Sequence, residues 1–160
     1  MNCPLGQNKK SNMSFVKIWV HCVWGTKDRE NLIDDNLKEI LYKHVKEYSK
    51  VNDIYLDCIN GASEHVHLLI SLNNDQSIAK VVNLIKGESS HWINKNNLTN
   101  GKFEWAKEYF AVSVSESSVV KVREYIKNQE EHHRKKSFKE EYDEFMKKYG
   151  FEKFSPKGLS

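Results

Sequence analysis

Apolar side chains recur along this 160-residue chain in two rhythms, and the switches between them divide it into elements. Residues 15–24 (FVKIWVHCVW) are rich in β-branched and aromatic types and predict a first strand, closed by a turn at Gly25. Residues 34–50 then place Leu37, Ile40, Leu41, His44, Val45 and Tyr48 at helical spacing behind an acidic first turn. Residues 54–59 (IYLDCI) predict a second strand, Asn60-Gly61 a tight turn, and 65–72 a third strand, the strongest hairpin signal in the chain. Helical spacing returns over 76–95 through Ile78, Val81, Val82, Leu84, Ile85 and Trp92. After a polar loop around Asn96–Lys102, residues 109–115 (YFAVSVS) alternate again and predict a fourth strand. Ser117 or Ser118 is a candidate cap for a helix expected to run through about Arg134, and a further helix is expected over 138–149.

The order β-α-β-β-α-β with C-terminal helices predicts a ferredoxin-like α+β sandwich, one antiparallel sheet with two helices on one face. The opposite face is left for a ligand, a partner or the C-terminal helices. No repeat or internal linker divides the chain, so residues 13–150 are expected to form a single domain. Residues 1–12 are polar, contain Pro4 and Gly6, and read as a flexible leader, with Met13 as an alternative start; 151–160 read as a tail.

Composition narrows the class without naming it. The chain is 39% hydrophobic and 29% charged, which suits a soluble globular protein. No stretch approaches the roughly 20 apolar residues of a membrane span, and no signal-peptide core is present, so no membrane role is expected. Cys3, Cys22 and Cys58 are odd in number and widely spaced, which argues against a disulfide framework and for a reducing cytoplasm. A net charge of +3 permits a nucleic-acid partner without requiring one, and the lysine-rich stretch 134–139 reads first as a solvated helix face.

The chemistry is concentrated in two places. Alternation puts His65 and His67 on one side of the third strand with Leu69 and Ser71, while Val66, Leu68, Ile70 and Leu72 take the other. Two adjacent imidazoles are either a metal seat or a coincidence of packing. A zinc site would recruit Cys22 and Cys58, but these alternate in register with Ile18 and Val20, and with Ile54 and Leu56, and read as core. In residues 117–133, Val119, Val122 and Ile126 form an apolar stripe, with Tyr125 and Gln129 stacked on its edge. Taken alone, that pair reads first as a boundary tyrosine with a snorkelled amide. His132 falls near the Tyr125 edge and His133 nearer the stripe, where a helix C-terminus also favours histidine. Trp105 reads as a core residue before a base-stacking one.

"EHVHLLI" (64–70) followed by "YIKNQ" (125–129) resembles the single-tyrosine transposases of the HUH superfamily, the small enzymes of insertion sequences that move as single-stranded DNA. The resemblance covers Met13 to about Gly150 and includes "VWGTKDRE" (23–30), "KGESSHWIN" (86–94) and "FAVSVS" (110–115). Glu64 departs from it, since aspartate is more usual before the first histidine. The resemblance implies Tyr125 as nucleophile and His65, His67 and Gln129 as ligands of a divalent metal, Mg²⁺ or Mn²⁺. The implied reaction cleaves and rejoins single-stranded DNA at hairpin-marked ends through a 5′-phosphotyrosine, in a homodimer, with each tyrosine acting in cis or on the partner's histidine pair. Lys27, Arg29 and Lys86 lie in the matching segments as candidate DNA contacts, a reading no stronger than that of ordinary surface cations. Other HUH nickases, namely rolling-circle initiators, relaxases or host-adopted repeat-hairpin nucleases, would use the same site. A non-catalytic single-stranded nucleic-acid module would share the fold, but its R-G-F/Y-G-F run is absent.

Overall fold

The computed structural model describes residues 14–149; the expected leader, Met13 and the tail lie outside the described residues. Strands β1 (Ile18–Gly25) and β3 (His65–Leu72) pair antiparallel over their full length, from Ile18 opposite Leu72 to Gly25 opposite His65. β2 (Tyr55–Gly61) adds to β3, and β4 (Phe110–Val114) adds to β1. The order β2-β3-β1-β4, antiparallel throughout, is the expected ferredoxin-like sheet.

Helices α1 (Asp35–Val51) and α2 (Ile78–Lys95) cover one face. Asp34 caps α1 by accepting from the Leu37 amide at 2.8 Å, and Ser77 caps α2 by accepting from Lys80. Leu37, Leu41 and Val45 descend one side of α1 at four-residue spacing onto Val66, Leu68 and Ile70 of β3. Ile40 lies off that stripe and is exposed. Each side chain as buried as Leu68 or Ile70 contributes about 1.5–3 kcal/mol relative to exposure.

The second face is covered by α3 (Val119–Lys127), α4 (Gln129–Lys135) and α5 (Phe138–Lys148). Trp19 and Leu69 point from the sheet into a separate cluster with Val119 and Ile126. β3 is therefore buried on both sides, and its histidines face the second layer of helices.

Four local expectations are corrected. β1 begins at Ile18, leaving Phe15 exposed outside the strand. Asn60-Gly61 is not the hairpin turn: β2 continues through both, with Asn60 opposite His67 and Gly61 opposite Val66, and the chain reverses at Ala62–Glu64. The glycine serves close approach instead, because a Cβ there would stand 2.1 Å from the His65 carbonyl oxygen. The register of β2 shifts between Leu56 and Cys58, a bulge that turns Cys58 away from the Leu56 side and into the second cluster. Cys22 does lie in the first core, fully buried. Finally, the helix expected through Arg134 is broken. After a 3₁₀ turn at Glu116–Ser118, α3 and α4 meet at Asn128 (φ −95°, ψ 21°), a residue type whose side chain competes poorly for helix interiors.

Candidate functional site

The site lies where the start of β3 meets α3–α5. His65 and His67 are both fully buried. Each has its Nδ1 occupied: His65 Nδ1 is 2.8 Å from Glu64 Oε1, and His67 Nδ1 is 2.9 Å from Nε2 of His21 on β1. The Nε2 atoms are thereby aimed at the helices. His65 Nε2 lies 3.3 Å from Gln129 Oε1 and 3.4 Å from Glu141 Oε2. His67 Nε2 lies 3.3 Å from Glu141 Oε1, yet it is buried without a hydrogen bond.

Tyr125 stands one turn before Gln129 across the Asn128 break. Its ring meets His67 edge-on at 5.7 Å, and its hydroxyl donates to the Glu141 carboxylate. α3 is held in place from two sides: Ile126 is buried in the second cluster, and Arg123 forks onto Asp57 at 2.7 and 3.0 Å, the residue at the β2 bulge. A cavity of about 290 Å³ opens beside the tyrosine between α3 and α5, with Lys121 and Lys148 among its lining residues.

The electrostatics are polarised. Burial pushes His67 down to about 4, and Glu141 only partly offsets it. Burial and the neighbouring His67 take His21 down to about 3. For His65 burial acts in the same direction, but the Glu141 carboxylate beside it and the hydrogen bond to Glu64 outweigh it and lift the imidazole to about 8. Burial would raise Glu141, yet its close contacts with the His65 and His67 imidazoles hold it far below the usual carboxylate range. Burial and the adjacent Glu141 push the Tyr125 phenol well above its ordinary value. At rest the phenol is protonated against an anionic carboxylate.

These residues fit a divalent cation. The donor atoms of His65, His67 and Glu141 all lie within 4.8 Å of one another, and a buried imidazole nitrogen without a hydrogen bond is an available lone pair. Gln129, also fully buried, adds an amide oxygen.

Of the residues singled out from sequence, His65, His67, Tyr125 and Gln129 come together. Lys27 and Lys86 lie elsewhere, and Arg29 borders the site through Phe138, which stacks on His65. Lys27 is exposed and paired with Glu104 at 2.8 Å. Lys86 donates to the carbonyls of Ala106 and Lys107 at 2.6 and 3.1 Å. Arg29 lies over the rings of Phe138 and Tyr142, at 5.4 and 5.1 Å, from a left-handed backbone (φ 54°). Trp105 is a core residue, packed on Phe103 and donating to Ser89 Oγ at 2.9 Å. His132 stacks obliquely on Tyr125, and His133 Nδ1 approaches Glu64 Oε1 at 3.4 Å, so the longer carboxylate at position 64 still reaches its histidine.

Sequence reasoning missed His21 and Glu141. Their signal was an acid at position 141 between Phe138 and Phe145 on the inward side of α5, and a histidine inside the apolar run of β1. Neither could be joined to the site without the tertiary pairing.

Among the described residues no helix is long and apolar enough to cross a membrane. The profile of the IS200-like transposases matches residues 14–129. The ISDra2 transposase TnpA of Deinococcus radiodurans is 27% identical over 131 residues, spanning 76% of this chain and 90% of that protein. The crystal structure of a chain described as a transposase from D. radiodurans R1 superposes with a TM-score of 0.60 at 25% identity, covering 76% of this chain and 97% of that one. The fold is shared as well with a REP-associated tyrosine transposase bound to a REP hairpin, at TM-score 0.55 and 11% identity over 76% of this chain and 70% of that one. The matched segment contains both histidines, the tyrosine and the glutamine, and the chain belongs to the IS200-like transposase family.

Proposed function

We propose that this transposase cuts and rejoins single-stranded DNA by transesterification, with Tyr125 as nucleophile and His65, His67 and Gln129 as ligands of Mg²⁺ or Mn²⁺. The observation that carries the reading is the convergence of two buried imidazole Nε2 atoms and one buried amide oxygen beside a single tyrosine hydroxyl. The Tyr125 oxygen attacks phosphorus, the P–O3′ bond breaks, and the 3′ oxygen takes up a proton while the phenol loses one. The DNA end is stored as a 5′-phosphotyrosine, so a later 3′-OH can reverse the step without a further energy source. The bound ion supplies charge stabilisation at the phosphate.

The chain's own residues prepare that step. The two Nδ1 contacts, to Glu64 and His21, orient the imidazoles before any ion arrives. The raised phenol pKa keeps the nucleophile dormant until positive charge is brought near. Neutral nitrogen and amide ligands leave most of a dication's charge for phosphate oxygens, and imidazole favours Mn²⁺ over Mg²⁺. Lys121 and Lys148 beside the tyrosine suit an approaching strand. The REP-hairpin complex of a protein with this fold supports a hairpin as the recognised element. Lys27 and Arg29, just beyond the β1 end that pairs with His65, contact that hairpin, whereas Lys86 must first release its two carbonyls. The working unit is a homodimer.

The test uses a library of 3′-labelled single strands carrying hairpins with random flanks, mixed with protein and Mn²⁺. The 3′ label should appear on protein after denaturation, the other fragment should end in 3′-OH, and Tyr125→Phe should abolish the adduct while retaining fold and hairpin affinity. Cutting by the phenylalanine variant at near the wild-type rate would refute the mechanism.

A further inference from the structure

We propose that Glu141 is a further ligand of the same ion, a carboxylate delivered by α5 from beyond the segment that matches the family; this rests on the metal-dependent reading above. The profile match ends at Gln129, within the site, and α5 begins at Phe138. Yet α5 is built to present one residue to the histidines. Ser137 and Glu140 form a reciprocal capping box that sets where the helix starts and hence which side chains face inward. Phe138 then stacks on the His65 ring at 4.3 Å and 12°, and Phe145 packs against His21 at 5.8 Å. Glu141 lies between these two anchors on the same helix face, and its side chain is only 11% exposed.

Its two oxygens are divided between the imidazoles, Oε2 at 3.4 Å from His65 Nε2 and Oε1 at 3.3 Å from His67 Nε2. Donors that sit about 2.1 Å from an ion lie roughly 3–4 Å apart, the spacing seen here. A carboxylate this buried is costly unless a cation accompanies it. A purely structural role would need only one such contact; Oε1 also accepts from the Tyr125 hydroxyl of α3, and both oxygens face the nitrogens that a metal would use. With Glu141 bound, the protein supplies one negative charge and four donors, leaving about two positions of a six-coordinate ion for DNA oxygens.

The competing account is a plug: Glu141 holds the histidines only while no ion is bound and is displaced by it. The two predict opposite signs. Mn²⁺ alone, titrated into the full chain and followed by the paramagnetic signal of the free ion, should bind the wild type, and Glu141→Gln should bind at least about tenfold more weakly. A plug predicts equal or tighter binding in Glu141→Gln, and that result overturns the proposal while leaving the metal-dependent reading intact. Absence of Mn²⁺ binding by the wild type, or retention of it by His67→Ala, overturns that reading and the proposal with it. A Mn²⁺-loaded crystal of the wild type gives an answer independent of variant folding: the ion, located by anomalous scattering, should be coordinated by a Glu141 oxygen, and its coordination without Glu141 overturns the assignment.

Discussion

Truncating Ile126 to alanine measures how firmly the helix bearing Tyr125 is joined to the sheet. Ile126 is fully buried among Trp19, Leu69 and Val119, the contacts that seat α3 on the second face. The change removes three carbons, worth about 0.8 kcal/mol each in transfer, and leaves a cavity beneath a helix already anchored at Arg123. The expected loss is about 3 kcal/mol, within the range of about 2–5 kcal/mol typical of such substitutions. For a chain of this size that lowers Tm by about 6–12 °C. Calorimetry of the metal-free protein, paired with hydrogen exchange of the α3 amides, reads both halves of the expectation. A Tm within about 2 °C of wild type would refute it. Accelerated exchange confined to α3 at unchanged Tm would show that the second helical layer is not part of the cooperative unit.

Gly61→Ala forces a Cβ to 2.1 Å from the His65 carbonyl oxygen and 2.8 Å from Val66 Cα, so the hairpin must open; a loss of about 1–3 kcal/mol is expected in urea unfolding, and an unchanged midpoint would contradict the close-approach account. Cysteine reactivity should be delayed on the pH scale, because burial pushes the Cys22 thiol up to about 12 and burial with Asp57 pushes Cys58 up to about 11. Iodoacetamide labelling of the native protein should be slow at both at pH 8 and should rise at Cys58 before Cys22; unfolded-like labelling of Cys22 at pH 8 would argue against its burial.

Much of the architecture was legible because it is written in local rhythm. The alternation of β3 separated His65 and His67 from Val66 and Leu68, and the structure places these pairs on opposite faces. The order of strands and helices followed from the same periodicities. What escaped detection depends on contacts between distant segments. Asn60-Gly61 has the composition of a turn, yet the glycine answers to a carbonyl across the hairpin. The bulge beside Asp57 answers to Arg123, 66 positions away. Glu141 is an ordinary helix acid until α5 folds over the histidines, and His21 is an ordinary strand histidine until β1 pairs with β3. Tyr125 and Gln129 were visible through a motif, whereas the Asn128 break between them has no periodic signature.

The sheet carrying His65 and His67 is covered by helices on both faces. That covers the flat β surface on which single-strand binding modules spread their bases, so the described residues offer such a reading no open sheet face. Among the described residues, a nucleic acid can meet these strands end-on, at the rim where β1 ends at Gly25, β3 begins at His65 and α5 starts after Ser137, or reach Tyr125 through the cleft between α3 and α5. Loops at a rim tolerate substitution and insertion that a packed layer does not. Target preference can thus drift, or be redesigned, in the exposed segment 27–30 while Glu64, Ser137 and the layers that hold the histidines stay unchanged.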